Sequence, residues 1–186
     1  GEFCDLRNYV LSRSLWDPSL DSEALVEEFC RLHYQEAAPV ILEYIEFIRD
    51  NAERLHCHPN CGAAPVELGL TPEAAFKAMD LFEKALAAAG SDAVRARVEK
   101  ASIPAYRTLI LVNGFPWKVE NGVCKRDLPQ EYSGLVPQYI ALCEKYGMSM
   151  VSEQLPAKDY FDRLSKMEAM PALRIENDTW RLTVLP

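Results

Sequence analysis

The N-terminal part of the chain has apolar residues at helical spacing on both sides of a sharp corner. The leading stretch carries apolar side chains three to five positions apart, at Phe3, Leu6, Val10 and Leu15. This spacing is typical of an amphipathic helix. Asp17 and Pro18 are expected to end that helix, because proline disfavours the helical region for the residue before it. Asp21 can then accept a hydrogen bond from an unpaired amide and begin a second helix.

Trp16 lies at this corner and is the first candidate binding residue. Its large ring is interpreted as core filling that covers the junction between the two helices, with stacking against a sugar as the alternative. Leu20 and Leu25 flank the predicted cap at the spacing of a hydrophobic staple. Together these residues are expected to fix the direction in which the second helix leaves the corner.

A third helix is predicted from Ala37 to about Leu55, with Pro39 in its first turn. Its apolar face is wider than a surface helix needs and comprises Val40, Ile41, Leu42, Tyr44, Ile45, Phe47 and Ile48. Contact with two neighbouring helices would account for this width, so we expect the central helix of a bundle.

Further helices and short β elements are predicted downstream. Helical patterns cover about residues 71–89, 92–112, 134–146 and 156–167. Pro104 should kink or split the second of these. Asn121-Gly122 can turn a hairpin, residues 148–151 can form a short strand, and the alternating tail predicts a terminal strand pair. The sequence therefore predicts one mainly α domain over residues 1–186, a bundle of about six to seven helices with a short β element near the C-terminus.

Composition and charge argue against several classes of function. No apolar run approaches the ~20 residues that cross a bilayer. Of the net charge of −8, −7 falls in residues 1–54, which hold 12 acidic and five basic side chains. Without a basic face, neither nucleic acid nor a membrane is an expected partner.

The N-terminal sequence GEFCDLRN is not a signal peptide. We interpret the chain as a C-terminal fragment of a larger protein, and the sequence does not determine its cellular compartment.

The densest group of metal-ligating side chains is His56, Cys57, His58 and Cys61. Thiolate and imidazole suit a tetrahedral zinc ion, but three of these residues are consecutive and no second ligand pair follows elsewhere. An ordinary loop with two free thiols, or a disulfide, is therefore the preferred interpretation. No cofactor is expected, with zinc in this loop as the alternative. The six cysteines of the chain do not have the spacing of a disulfide framework.

The sequence predicts no catalytic residue. It contains no nucleophile elbow, phosphate-binding loop or dinucleotide fingerprint. The adjacent Glu27 and Glu28 point about 100° apart on a helix, whereas a glycosidase needs two carboxylates that face each other. Glu153 follows the predicted strand at 148–151 and is a candidate binding residue, because loops often carry function. An exposed or capping glutamate is the alternative.

Three stretches of the chain carry a family resemblance. They are LRNYVLSRSLWDPSLDSEALVEEFCRLHY, AAPVILEYIEFI shortly after it, and YIALCEKYGMSMVSEQLPAKDYFDRL. The intervening RVEKASIPAY also fits. The chain resembles the helical C-terminal part of the bacterial family catalogued as domain of unknown function 4838, which is found in glycosidase-like proteins. A similar tryptophan-corner helix pair occurs in the C-terminal helical region of α-glucuronidases. The sequence departs from the family pattern at Gln35-Glu36, where a tyrosine-glycine type turn is expected, and in the His/Cys loop.

The resemblance implies a non-catalytic accessory domain of a glycoside-hydrolase-like protein. In the family this helical part follows a larger barrel-like region, and in α-glucuronidases that barrel carries the catalytic acids. The expected partner is an upstream barrel of the same parent protein, with carbohydrate as a further candidate. Such a domain should expose an apolar surface where the barrel would sit. The alternatives are a stand-alone glycan- or protein-binding module that uses Trp16, Trp117 or Trp180, and a small zinc-stabilised helical protein.

Overall fold

The computed structural model describes residues 3–57, 65–112, 117–126, 134–152, 154–171, 173–176 and 181–184. Contacts between residues divide the chain into two compact units, Gly1–Val112 and Asn113–Pro186. Each unit buries apolar side chains of its own. The prediction of a single domain over residues 1–186 stays a prediction.

The first unit begins with the predicted corner, formed by α1 (Cys4–Trp16) and α2 (Ser22–Tyr34). Asp17 adopts an extended backbone directly after α1, as expected for a residue that precedes proline. The Asp21 carboxylate accepts a hydrogen bond of 2.9 Å from the Glu23 amide. The predicted N-cap of α2 is thereby confirmed.

Three longer helices complete this unit. A 3-10 helix (Gln35–Ala37) leads into α3 (Ala38–Arg54), and a second one (Pro65–Leu68) precedes α4 (Pro72–Ala88). α3 contacts both α2 and α4, which confirms its predicted position between two neighbours. α4 packs on α3 and on α5 (Asp92–Val112). Seven residues of α4 are buried, and four of them are alanines: Ala74, Ala75, Ala78, Met79, Leu81, Phe82 and Ala85.

Pro104 does not split α5. The helix runs unbroken from Asp92 to Val112, although proline removes one backbone hydrogen bond from a helix interior. Ser102, Ile103 and Ala105 beside the proline are buried. Burial of these neighbours accounts for the continuity, since tertiary packing routinely overrides the local preference of a residue.

The second unit combines two helices with short antiparallel sheets. β1 (Trp117–Glu120) and β2 (Val123–Arg126) form the predicted hairpin, with φ of 52° at Asn121 and 73° at Gly122, the backbone of a two-residue turn. The remaining elements are α6 (Leu135–Lys145), β3 (Met150–Ser152), β4 (Leu155–Pro156), α7 (Ala157–Glu168), β5 (Ala169–Pro171), β6 (Leu173–Glu176) and β7 (Arg181–Val184). β5 pairs with β2, β3 with β4, and β6 with β7.

The predicted mainly α class is confirmed. The described residues contain seven α-helices, and the terminal strand pair expected from the alternating tail is present as β6 and β7. The sheet content is larger than one short element, because β5 joins the hairpin as a third strand. Among the described helices, none has the combination of length and apolar character required to cross a membrane.

Candidate functional site

The C-terminal end of α1 exposes three large apolar side chains. Leu11, Leu15 and Trp16 are 53%, 84% and 91% exposed. Leu11 and Leu15 are one helical turn apart, so they project from the same face of α1. The interpretation of Trp16 as core filling is wrong, because its ring lies in solvent and does not cover the corner. We call these three residues the α1 apolar patch.

Polar contacts hold α1 against α2 in this orientation. The Tyr9 hydroxyl donates a hydrogen bond of 2.8 Å to Glu28 Oε1, and it accepts one of 3.0 Å from Arg13. The Tyr9 ring also lies 5.5 Å from the Phe29 ring. The hydrogen bond to Glu28 raises the pKa of the Tyr9 hydroxyl. These contacts fix the face of α1 that meets α2.

The corner after α1 is closed by a local turn. Asp17 Oδ1 accepts hydrogen bonds from the Ser19 hydroxyl at 2.7 Å and from the Ser19 amide at 3.0 Å. These bonds stabilise the charged carboxylate and lower the pKa of Asp17. The corner is thus organised by its own polar groups and does not need the Trp16 ring.

A cleft of about 460 Å³ opens between α2 and α3. Its lining residues are Ala24, Glu27, Glu28, Arg31, Gln35, Ala38, Pro39 and Leu42. The cleft is widely open to solvent. We call this site the α2–α3 cleft. The sequence reasoning missed Arg31 and Gln35, although a polar stripe at four-residue spacing, Glu27, Arg31 and Gln35, was a signal for it.

Gln35 has an unusual backbone at the rim of this cleft. Its φ is 49° and its ψ is −115°, a combination that favours glycine. Strained conformations of this kind cost about 1–3 kcal/mol each and persist where the surrounding structure fixes them. Tyr34 and Ala37 on either side of Gln35 are both buried. The chain therefore holds a residue with a polar side chain at a position where glycine would be relaxed.

A second cavity of about 60 Å³ lies where α1, α2 and α5 meet. His33 stacks on Phe29 with ring centroids 4.7 Å apart, and Arg97 donates a 2.8 Å hydrogen bond to the His33 carbonyl. Burial lowers the pKa of His33, and the positive charge of Arg97 acts in the same direction. This cavity is too small for a ligand of many atoms.

The structure describes only half of the predicted metal ligands. His56 is exposed with φ of 51°, and Cys57 is half-buried. His58 and Cys61 lie outside the described residues. No group of three or more histidine, cysteine or acidic side chains suited to a metal ion occurs within the described part of the chain. The zinc site therefore remains a prediction.

The other candidate binding residues also remain predictions. Trp117 begins β1, and the structure describes its backbone only. Glu153 lies outside the described residues, between β3 and β4. Trp180 precedes β7 and is likewise outside them.

The N-terminal segment has a recognisable relative among protein families. A family model described as "Domain of unknown function (DUF4838)" matches residues 1–46. No curated protein and no solved structure matches the chain. The matched segment covers α1, α2, the first 3-10 helix and half of α3, so it includes the α1 apolar patch and every lining residue of the α2–α3 cleft. The predicted resemblance is confirmed over this segment: in residues 1–46, the chain resembles this domain family.

Proposed function

We propose that the chain is a non-catalytic helical accessory domain of a larger, carbohydrate-active protein, and that its α1 apolar patch packs against an upstream barrel of that protein. The observation that supports the proposal is the cluster of exposed Leu11, Leu15 and Trp16 at one helix end. Burying each such side chain on a partner contributes about 1.5–3 kcal/mol. The carbohydrate-active context comes from the family resemblance.

Charge adds a property that the partner should have. Residues 1–54, which contain the patch, carry −7 of the net charge of −8. Interfaces pair surfaces of opposite sign, which accelerates association and suppresses wrong partners. The partner surface should therefore be apolar at its centre and basic around its edge.

Co-purification tests this docking. The chain and the barrel segment encoded upstream in the parent reading frame are expressed as two separate polypeptides, one of them tagged. We expect them to co-purify, and we expect Leu15→Arg or Trp16→Arg to abolish the complex. Leu32→Arg is the matched control, since Leu32 is an exposed leucine on α2, 56% accessible, outside the patch. A folded chain that leaves the barrel segment behind, or variants that all bind alike, contradicts the proposal.

A stand-alone binding module for a glycan or a protein is the second candidate. The exposure of the Trp16 ring favours it, because an aromatic face in solvent can pack against an apolar surface of a ligand. Titration of the isolated chain with soluble oligosaccharides, followed by tryptophan fluorescence, distinguishes the two. A saturable change that Trp16→Leu removes supports the module, whereas silence across the series disfavours glycan binding.

A further inference from the structure

Three polar side chains line the α2–α3 cleft without a hydrogen-bond partner in the described part of the chain. Glu27, Arg31 and Gln35 all line the cleft and are exposed. In the described part of the chain, none of these side chains takes part in a hydrogen bond or an ion pair. By contrast, the neighbouring Glu28 carboxylate is held by Tyr9 and lies 3.8 Å from Arg13.

The spacing of these three groups suits one small ligand with two opposite charges. Glu27 and Arg31 stand one helical turn apart, where Cβ atoms are separated by about 5–6 Å. Their order along the helix favours an ion pair, yet the two side chains do not form one. A carboxylate and a guanidinium that do not neutralise each other can bind an ammonium and a carboxylate carried by a single ligand carbon.

The rest of the lining indicates what such a ligand carries besides its charges. Ala24, Ala38 and Leu42 provide an apolar surface within the same cleft. The cleft lining contains no aromatic ring, although sugar sites commonly use one. A neutral sugar would also leave the charges of Glu27 and Arg31 without opposite partners. The lining therefore favours an apolar amino acid over a polyhydroxylated ligand.

Gln35 supplies the third polar group. Its strained backbone suggests that the side chain is retained for a purpose. The residue keeps a φ of 49°, where glycine would relieve the strain but remove the side chain. Strained backbone is often retained where it serves a site. An amide side chain can donate and accept at once, so it can bind either charged group of the ligand or both.

We propose that the α2–α3 cleft binds a small zwitterion of the amino-acid class, with Glu27 binding the ammonium, Arg31 the carboxylate, and Gln35 determining specificity at the rim. The inference does not depend on the docking of the α1 apolar patch, because it concerns the isolated chain.

Titration of the full chain by amide NMR tests the ligand class. L-Leucine is the probe, with leucinamide, which lacks the carboxylate, and 4-methylpentanoate, which lacks the ammonium, as matched controls; xylose represents a polyhydroxylated ligand. We expect saturable shifts at amides of residues 24–42 with L-leucine, and binding about 1.5- to fivefold weaker with each control, because both charges are solvent-exposed. No response to L-leucine, equal responses to all three charged probes, or a response to xylose alone overturns the proposal.

Variants test the residues. Glu27→Gln and Arg31→Gln should each weaken L-leucine binding about 1.5- to fivefold, while Glu46→Gln, an exposed change on α3 outside the cleft, should not. Gln35→Gly and Gln35→Ala should both weaken binding, and Gln35→Gly should unfold at a higher urea concentration than Gln35→Ala, because only glycine is relaxed at this φ. Variants at positions 27, 31 and 35 that bind like the original chain overturn the assignment.

Discussion

The side-chain amide of Asn51 donates a hydrogen bond of 2.6 Å to the carbonyl of Gly69. Asn51 is one of two polar residues that are buried in the described part of the chain, and it ties the end of α3 to the segment that leads into α4. Arg54 donates to the other side of the same amide, at 2.9 Å from Asn51 Oδ1. The bond therefore links α3 to the residues just before α4.

Removing this amide should destabilise the chain. Asn51→Ala leaves the Gly69 carbonyl buried without its partner, and an unsatisfied buried group costs about 1–3 kcal/mol. Glu53→Ala is the control, since Glu53 is exposed on the same helix and its loss should cost less than about 0.5 kcal/mol. Urea unfolding followed by circular dichroism measures both values. Equal losses for the two variants would show that the bond to Gly69 contributes little.

Two glycines should differ in how much stability they lose when a methyl group is added. A Cβ on Gly69 would lie 2.7 Å from Leu55 Cδ1 and 3.1 Å from Asn51 Nδ2, at a φ of 73°. Gly69→Ala should therefore destabilise the folded chain. The positive φ alone costs about 1–3 kcal/mol, and the close contacts add to this cost. A Cβ on Gly90 would have the carboxylate of Glu36 as its nearest neighbour, at 2.8 Å from its Cδ, and this exposed side chain can move aside.

We expect Gly90→Ala to change stability by no more than about 0.5 kcal/mol. Thermal unfolding of the two variants beside the original chain gives the comparison. A large loss at position 90 would mean that Glu36 is fixed by contacts stronger than its exposure suggests.

The cap of α2 should contribute measurably to stability. Asp21→Ala removes the acceptor for the Glu23 amide and should cost about 0.5–2 kcal/mol. Asp21→Ser keeps an oxygen acceptor at the same position and should retain most of the stability. The urea concentrations at which the two variants are half unfolded give the comparison. Equal midpoints would indicate that other contacts hold the corner.

His33 should make the first unit less stable in mild acid. Its pKa is lowered from 6.5 by burial and by Arg97, so the unfolded chain binds the proton more readily than the folded one. The free energy of unfolding should fall as the pH drops below 6.5 and should be insensitive to His33 above that value.

The variant His33→Phe preserves the ring that stacks on Phe29 and removes the titration. Unfolding of both proteins at pH 5 and pH 7.5 provides the test: the free energy of the original chain should fall more between these values than that of the variant. Parallel behaviour would mean that His33 titrates normally in the folded state.

Local signals in the sequence predicted most of the helices correctly. Pro18 and Asp21 act through neighbouring backbone groups, and their predicted effects are present. The start of α4 is fixed locally as well, by the 3.3 Å bond from the Ala74 amide to the Thr71 hydroxyl. The turn at Asn121-Gly122 is local in the same sense, because both residues accept a positive φ.

The predictions that were wrong concern packing between residues far apart in the sequence. The spacing of Leu15 and the size of Trp16 suggested burial, but whether a helix face is covered depends on which helices pack beside it. The continuity of α5 through Pro104 likewise reflects packing around the proline. The α2–α3 cleft was missed because the polar stripe on α2 forms a cleft only with α3 packed beside it. The departure from the family pattern at Gln35 coincides with the strained backbone that the structure places there.

The buried cysteines give each unit its own chemical reporter. Cys30 of α2 is fully buried, and burial raises the pKa of its thiol to about 11; Cys124 and Cys143 are buried in the second unit. Alkylating reagents react with thiolates, so each of these sulfurs is shielded until its surroundings open. Labelling followed by peptide mass mapping can thus time the opening of residues 1–112 and 113–186 separately, with no engineered probe.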